Sequence, residues 1–275
     1  MIYDKLRSLM PAPLARYVMH FEASIEDAVS GFAASLSPGV RVLDAGSGEG
    51  AHKHYFTSQR YCGVDLAVGD QTWDYSKLDV LGDLETLPFP DRTFEATINI
   101  VTLEHVLHPA RVICELGRVL ASGGRLLLVA PLEWEEHQQP HDYGRFTRYA
   151  LDHLLRQAGF TEISIQPVGG IFRLISRRLL NALQFFPGPL VLVAAIFFAP
   201  PALLLPLLDP LDQKRASTLG YICSARKPSS SWSFLPWPQP PDSRARQPWS
   251  SPAAPSRSDP DPRAPSRFTN CRLIS

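Results

Sequence analysis

The segment Val42-Leu43-Asp44-Ala45-Gly46-Ser47-Gly48-Glu49-Gly50-Ala51 constrains this chain more than any other. An apolar run ends in an acid, and a glycine then falls at every second position. Each glycine permits a tight turn, or a close approach to a ligand, where a Cβ would collide. Such a loop joins a buried parallel strand to a helix at the carboxyl edge of an open α/β sheet. That edge is where these sheets bind ligands.

Two ligand classes compete for the loop. Gly46-x-Gly48-x-x-Ala51 satisfies the dinucleotide fingerprint, whose third glycine can be alanine, but that pattern has no role for Asp44. The downstream residues carry more weight. Tyr61-Cys62-Gly63-Val64-Asp65 reads as a second strand ending in an acid about twenty residues past the glycines, where a carboxylate can accept both hydroxyls of a ribose. Then come Gly82-Asp83-Leu84-Glu85-Thr86-Leu87-Pro88-Phe89, a strand over 94–101, and Leu103-Glu104-His105-Val106. Last is Glu115-Leu116-Gly117-Arg118-Val119-Leu120-Ala121-Ser122-Gly123-Gly124-Arg125-Leu126.

In this order the motifs resemble the class I S-adenosylmethionine-dependent methyltransferases, in particular the ubiquinone- and menaquinone-methyltransferase type. Asp44, Gly46, Gly48 and Gly50 match that family's Asp-x-Gly-x-Gly-x-Gly loop position by position. The Gly82 segment is close to its Gly-Asp-Ala-Glu-x-Leu-Pro-Phe, and Leu103-Glu104-His105 to its Leu-Glu-His. The Glu115 segment follows its Glu-x-x-Arg-Val-Leu-Lys-Pro-Gly-Gly-x-Leu, with Ala121-Ser122 replacing Lys-Pro in a surface turn. The resemblance covers residues 38 to 166 and implies S-adenosylmethionine as cofactor. It implies that Asp44 helps hold the ammonium of the methionine portion, Asp65 the ribose and Asp83 the adenine amino group. Gly46, Ser47, Gly48, Gly50, Leu66, Leu84 and Asn99 complete the implied cofactor site.

Alternation of strand and helix demands a parallel sheet covered on both faces. Strands are expected at 41–44, 61–65, 78–80, 94–100, 125–130 and 162–167, with a helix over 149–159 ended by glycine. Residues 218–226 alternate like a half-buried strand and correspond to the family's antiparallel seventh strand. The expected fold is thus α/β and Rossmann-like: seven strands, six parallel and the last antiparallel, with helices on both faces. Residues 1–37 form a helical cap, in which Ile25, Ala28, Val29, Phe32, Ala33 and Leu36 share one helical face. Residues 38–227 form the catalytic domain, with an apolar insertion at 171–216.

That insertion holds 30 successive uncharged residues, 179–208. Pro187, Pro189, Pro200, Pro201 and Pro206 are expected to cut it into pieces, since an interior proline costs a helix about 3 kcal/mol or more. A full bilayer span would also put strands six and seven on opposite sides of the membrane. The reading preferred is a hairpin dipping into one leaflet, a peripheral membrane contact through 179–208; a buried lid or a dimer surface are the alternatives. Arg173, Arg177, Arg178, Lys214 and Arg215 flank it with cations suited to anionic headgroups. The last segment, 228–275, holds eleven of the 26 prolines and too little apolar surface to offset its ordering entropy, so it is expected to be disordered.

Lysine plus arginine balance aspartate plus glutamate at 27 each, so no overall field draws nucleic acid. The cysteines are scattered and suggest neither zinc site nor disulfide framework. With no apolar run after the amino-terminal charges, a secretory signal is not expected, and a cytoplasmic setting fits.

Candidates for chemistry follow strand five, in Pro131-Leu132-Glu133-Trp134-Glu135-Glu136-His137-Gln138-Gln139-Pro140-His141-Asp142-Tyr143-Gly144-Arg145-Phe146-Thr147. His137, His141, Asp142 and Tyr143 are read as a base or as substrate-orienting groups; alternatively Asp142 pairs with Arg145 and only holds the loop. His137 and His141 are four apart, but Pro140 argues against a helix and no third ligand is evident. No metal is therefore assigned. His105 is read as shaping the cofactor pocket. The function expected is methyl transfer to a small-molecule or lipid-linked acceptor. A nicotinamide-dependent reductase and a non-catalytic, membrane-associated binding protein are the other classes; retention of Asp44, Asp65 and Asp83 argues against the last.

Overall fold

The computed structural model describes residues 10–69 and 72–229. Two helices open it, α1 (Ala12–Val18) and α2 (His20–Ala34), followed by strand β1 (Arg41–Ala45). Strands β2 (Arg60–Asp65), β3 (Val80–Leu81) and β4 (Phe94–Ile100) come next, then α3 (Pro109–Val119) and β5 (Leu120–Pro131). Helix α4 (Arg148–Gln157), strand β6 (Thr161–Val168), helices α5 (Ile171–Ala182) and α6 (Leu190–Leu204), and strand β7 (Gly220–Arg226) complete the order.

The strands form one sheet in the order β3-β2-β1-β4-β5-β7-β6. β7 runs antiparallel between β5 and β6, with Cys223 opposite both Leu128 and Ile165, and the remaining pairings are parallel. Period-two side chains explain the two core layers. Leu43, Leu126 and Leu128 point to the face covered by Ile113 and Leu116 of α3 and by Leu151 and Leu155 of α4. Val42, Ile98, Leu127 and Val129 point to the other face, where α2 lays down Phe21, Ile25, Val29 and Phe32. The expected helical face of α2 is therefore the one that packs.

Most element boundaries fall within two residues of those expected, and three differences have structural consequences. β5 starts at Leu120 rather than at 125, because a register shift between Phe94 and Ala96 takes up the extra residues around Gly123, whose φ is +76°. β3 is only two residues long. The largest difference is in the insertion: α6 runs through Pro200 and Pro201 and continues as a 3-10 segment, Leu205–Leu211. Neighbouring side chains supply part of what the prolines remove. Pro206 has no N–H for the carbonyl of Ala202, and the Ser176 hydroxyl of α5 donates there instead. The Tyr17 hydroxyl donates to the next carbonyl, that of Leu203, at 2.8 Å.

Both ends of the insertion are tied together. Asp209 accepts from the N–H groups of Gly170 and Arg173, and Asp212 from that of Ile171. Two acids from the end of the insertion thus cap the first turn of α5, where amide donors and the helix dipole favour negative charge. The expected disordered tail lies, from residue 230 on, outside the described residues.

Candidate functional site

The glycine loop leaves β1 at the sheet's carboxyl edge and is bent by three positive φ angles, +86° at Gly46, +51° at Gly48 and +75° at Gly50. A Cβ on Gly46 would lie 2.2 Å from Thr102 Cγ2, and one on Gly48 3.1 Å from the Trp73 ring. The loop is fastened to β2: Gly46 and Ser47 donate to the Val64 carbonyl, and Gly48 N–H donates to Asp65 Oδ2 at 2.9 Å. Ala67 N–H donates to the other oxygen of Asp65 at 2.8 Å. A carboxylate has about four lone-pair sites, so Asp65 keeps acceptor capacity toward the space beside the loop.

That space is a cavity of about 750 Å³. Gly46, Ser47, Gly48, Asp65, Leu66, Asp83 and Leu84 line one end, and His105, His137, His141 and Tyr143 the other. Trp73, Ile25, Val101, Val106 and Trp134 make the walls between them largely apolar. Asp83 holds its own turn by accepting the Glu85 N–H at 2.8 Å.

Four residues expected at the site stand elsewhere. Asp44 is fully buried under the loop; Tyr61 donates to its Oδ2 at 2.6 Å, and burial pushes the carboxyl up to about 7. Asn99 is buried in the sheet and donates to the Ala45 carbonyl at 2.7 Å, so it supports the loop from below. Gly50 opens onto a separate surface hollow beside Lys53 and Lys77. Asp142 turns away to Arg145, which holds it at 2.6 and 2.8 Å and pulls its carboxyl down to about 2. Asp142 also accepts the His137 N–H at 2.9 Å, which makes it a brace for the loop rather than a base.

Glu104 is the residue the sequence reading passed over. It follows β4 in a 3-10 turn, Leu103–His105, and its carbonyl accepts from Tyr143 N–H at 2.8 Å and Gly144 N–H at 3.1 Å. Those bonds dock the loop after β5 onto the turn after β4. His137 thereby meets His105, with their Nε2 atoms 3.1 Å apart, while the imidazole of His141 reaches the Tyr143 hydroxyl instead. The Glu104 carboxyl is wholly buried beside both rings, and burial raises it to about 8. Two adjacent residues met by a third some thirty positions later leave no periodic trace in a sequence.

The histidine- and tyrosine-lined end of the cavity is braced from outside by α5. Arg177 stacks on the Trp134 ring at 3.8 Å and pairs with Glu22 at 2.9 Å. Arg178 pairs with Glu135, and Asn181 donates to Glu135 at 2.9 Å. Arg173 lies 3.6 Å from Asp209. Each of these three arginines, expected with Lys214 and Arg215 to suit anionic headgroups, thus has an acidic partner within the protein.

A parallel sheet with an antiparallel β7, a glycine cradle that a Cβ would fill and an acid ending β2 together define a class I S-adenosylmethionine-dependent methyltransferase. The chain carries that domain, and its cofactor is S-adenosylmethionine. The family model described as a methyltransferase domain matches residues 43–128. The ubiquinone/menaquinone biosynthesis C-methyltransferase of Bordetella avium is 30% identical over 140 residues, 46% of this chain and 52% of that protein. Phthiotriol/phenolphthiotriol dimycocerosates methyltransferase 1 of Mycobacterium ulcerans is 29% identical over 143 residues, 48% of this chain and 51% of that protein. The chain spans about half the length of these curated relatives. A chain from the Haloferax volcanii complex between a methyltransferase and its activator superposes with a TM-score of 0.50 at 18% identity. It covers 77% of this chain and 94% of that one, a likeness of fold alone.

Proposed function

We propose that the protein transfers a methyl group from S-adenosylmethionine to a lipid-linked small-molecule acceptor at a membrane surface. The observation that carries this is one cavity whose cofactor end is the glycine cradle and Asp65 and whose far end is a histidine- and tyrosine-lined loop braced by the apolar insertion. When bound, S-adenosylmethionine supplies a sulfonium-bound methyl that an acceptor atom takes in line. Asp65 takes the ribose hydroxyls, Gly46 and Gly48 the methionine end, and Asp83 and Leu84 the adenine. The apolar walls exclude water and hold the acceptor in line, which is where an enzyme of this chemistry gains most of its rate. Tyr143, His141 and His137 orient the acceptor.

The lipid-linked acceptor is supported by α6, on which Leu192, Ile196 and Phe197 are each more than two-thirds exposed. A contiguous apolar surface of this kind marks a contact with a partner or a membrane. The names of the relatives, which refer to quinone biosynthesis and to dimycocerosates, point to the same acceptor class. In this reading residues 1–37 cap the domain, 38–227 carry catalysis with the insertion as anchor, and the protein works on the cytoplasmic face of the membrane.

Losing a carboxylate that accepts hydrogen bonds costs about 1–3 kcal/mol. Asp65→Ala is therefore expected to weaken binding of S-adenosylhomocysteine roughly 5- to 150-fold in calorimetry. Unchanged affinity would remove Asp65 from the cofactor site, and heat from NADH but not from S-adenosylhomocysteine would favour the reductase.

A further inference from the structure

The meeting of His105, His137 and Glu104 has a feature that the cofactor does not explain. The Nδ1 of His105 is 2.6 Å from the His141 carbonyl, and the Nδ1 of His137 is 3.1 Å from the Glu135 carbonyl. A carbonyl only accepts, so both rings carry their proton on Nδ1. Both Nε2 lone pairs are then directed into the same small space, 3.1 Å apart. Glu104 adds a carboxylate: its Oε1 is 3.8 Å from the Nε2 of His105 and 4.0 Å from that of His137. Neither of its oxygens has a hydrogen-bond partner among the described residues, and the residue is wholly buried. Two imidazole lone pairs and a buried carboxyl group with no hydrogen-bond partner among the described residues thus face one another.

We propose that these three side chains bind a first-row divalent metal ion, with an open coordination position turned toward the cavity. Two imidazoles and one carboxylate, with a further position left open, make the donor set of catalytic sites for zinc and its neighbours, and imidazole selects against magnesium and calcium. Zinc–nitrogen bonds of about 2.0–2.1 Å put tetrahedral ligand atoms about 3.3–3.4 Å apart. The histidine pair already has nearly that spacing, and Glu104 needs to approach by roughly half an ångström to complete it. The carbonyls on both Nδ1 atoms are the outer partners that fix the tautomer of a ligating histidine. His105 and His137 line the cavity beside His141 and Tyr143, so the open position takes an oxygen of the incoming acceptor. A metal-bound hydroxyl loses its proton more readily than a free one. The ion would thus favour acceptors with a hydroxyl or enol oxygen. Its role toward the acceptor rests on the methyltransferase reading; the binding of the ion does not.

The test uses untagged, chelator-stripped full-length protein titrated with Zn²⁺ in competition with a chromophoric chelator. S-adenosylhomocysteine binding is measured separately by calorimetry. One Zn²⁺ per chain is expected, with affinity falling at least about tenfold in His137→Ala and in Glu104→Gln, a loss of the size that even outer-shell changes cause. His153→Ala, on an exposed face of α4, should bind as the parent does. His137 lies on a loop, so its variant keeps the test alive if removal of the buried carboxylate disturbs folding. No stoichiometric ion, or an ion bound equally well by His137→Ala, overturns the site and leaves a shared proton between the rings. Zn²⁺ bound without S-adenosylhomocysteine would instead sink the cofactor reading and leave the metal site standing.

Discussion

Asp44 is a carboxyl group with no access to solvent, one hydrogen bond from Tyr61 and a second oxygen without a partner among the described residues. Desolvation disfavours its charged form and pushes it up to about 7, although the Tyr61 hydroxyl works in the opposite direction. Unfolded, an aspartate titrates near 3.9. Between about 4 and 7 the folded chain therefore keeps a proton that the unfolded chain has lost, and stability falls as pH rises through that window. Asp44→Asn copies the protonated form. Without cofactor, its melting temperature should rise relative to the parent across the window, and the difference should be constant above about pH 7. Parallel curves would mean that Asp44 ionises normally in the fold. The same residue marks a limit of what a motif conveys: Asp44, Asn99 and Gly50 occupy the expected positions of the pattern, yet none of them reaches the cavity wall. The motif preserves the loop's construction, and in a backbone-built cradle the supports and the wall are different residues.

At the scale of the element, α6 is apolar on all sides, and with its 3-10 continuation it makes a 22-residue stretch, Leu190–Leu211, apolar enough to cross a bilayer. Its surroundings argue otherwise. Its partner α5 is twelve residues long, about 18 Å at 1.5 Å per residue, well short of a hydrocarbon core of about 30 Å. The other end is held to the sheet by Asp209 and Asp212. A hairpin of this length suits the proposed dip into one leaflet. Because Arg173, Arg177 and Arg178 have partners inside the protein, the proposed attachment rests mainly on apolar burial, with only Lys214 and Arg215 left of the flanking cations for headgroup charge. Full-length protein should therefore sediment with neutral phosphatidylcholine vesicles nearly as well as with vesicles containing anionic lipid. Burying an Ile or Phe side chain contributes about 1.5–3 kcal/mol, so Ile196→Asp with Phe197→Asp should weaken vesicle binding more than about tenfold. Binding that depends on anionic lipid and survives the double substitution would place the contact elsewhere. The sequence showed the uncharged run but not the helix that passes through Pro200 and Pro201; at Pro206 the donors that compensate, Ser176 and Tyr17, come from other helices, which no local pattern records.

Across the whole molecule, the sheet and its two core layers were legible because period two and the helical period are written locally, strand by strand. The acceptor end was not, since it depends on which loops the topology sets side by side. The same topology makes the insertion separable. β6 and β7 are already paired from Thr161 with Arg226 to Val168 with Gly220, so nothing in the register depends on the residues between them. Removal of 183–208 through a short glycine linker leaves α5 in place, with Asp209 and Asp212 still capping its first turn and with Arg177 and Arg178 still on Trp134 and Glu135. It removes the carbonyl partners of Ser176 and Tyr17, so the melting temperature should drop. The shortened chain should bind S-adenosylhomocysteine as the full chain does and stay in the supernatant when vesicles are spun down. Sedimentation as before would show that α6 is not the anchor. Loss of cofactor binding in a folded product would show that the insertion belongs to the catalytic domain.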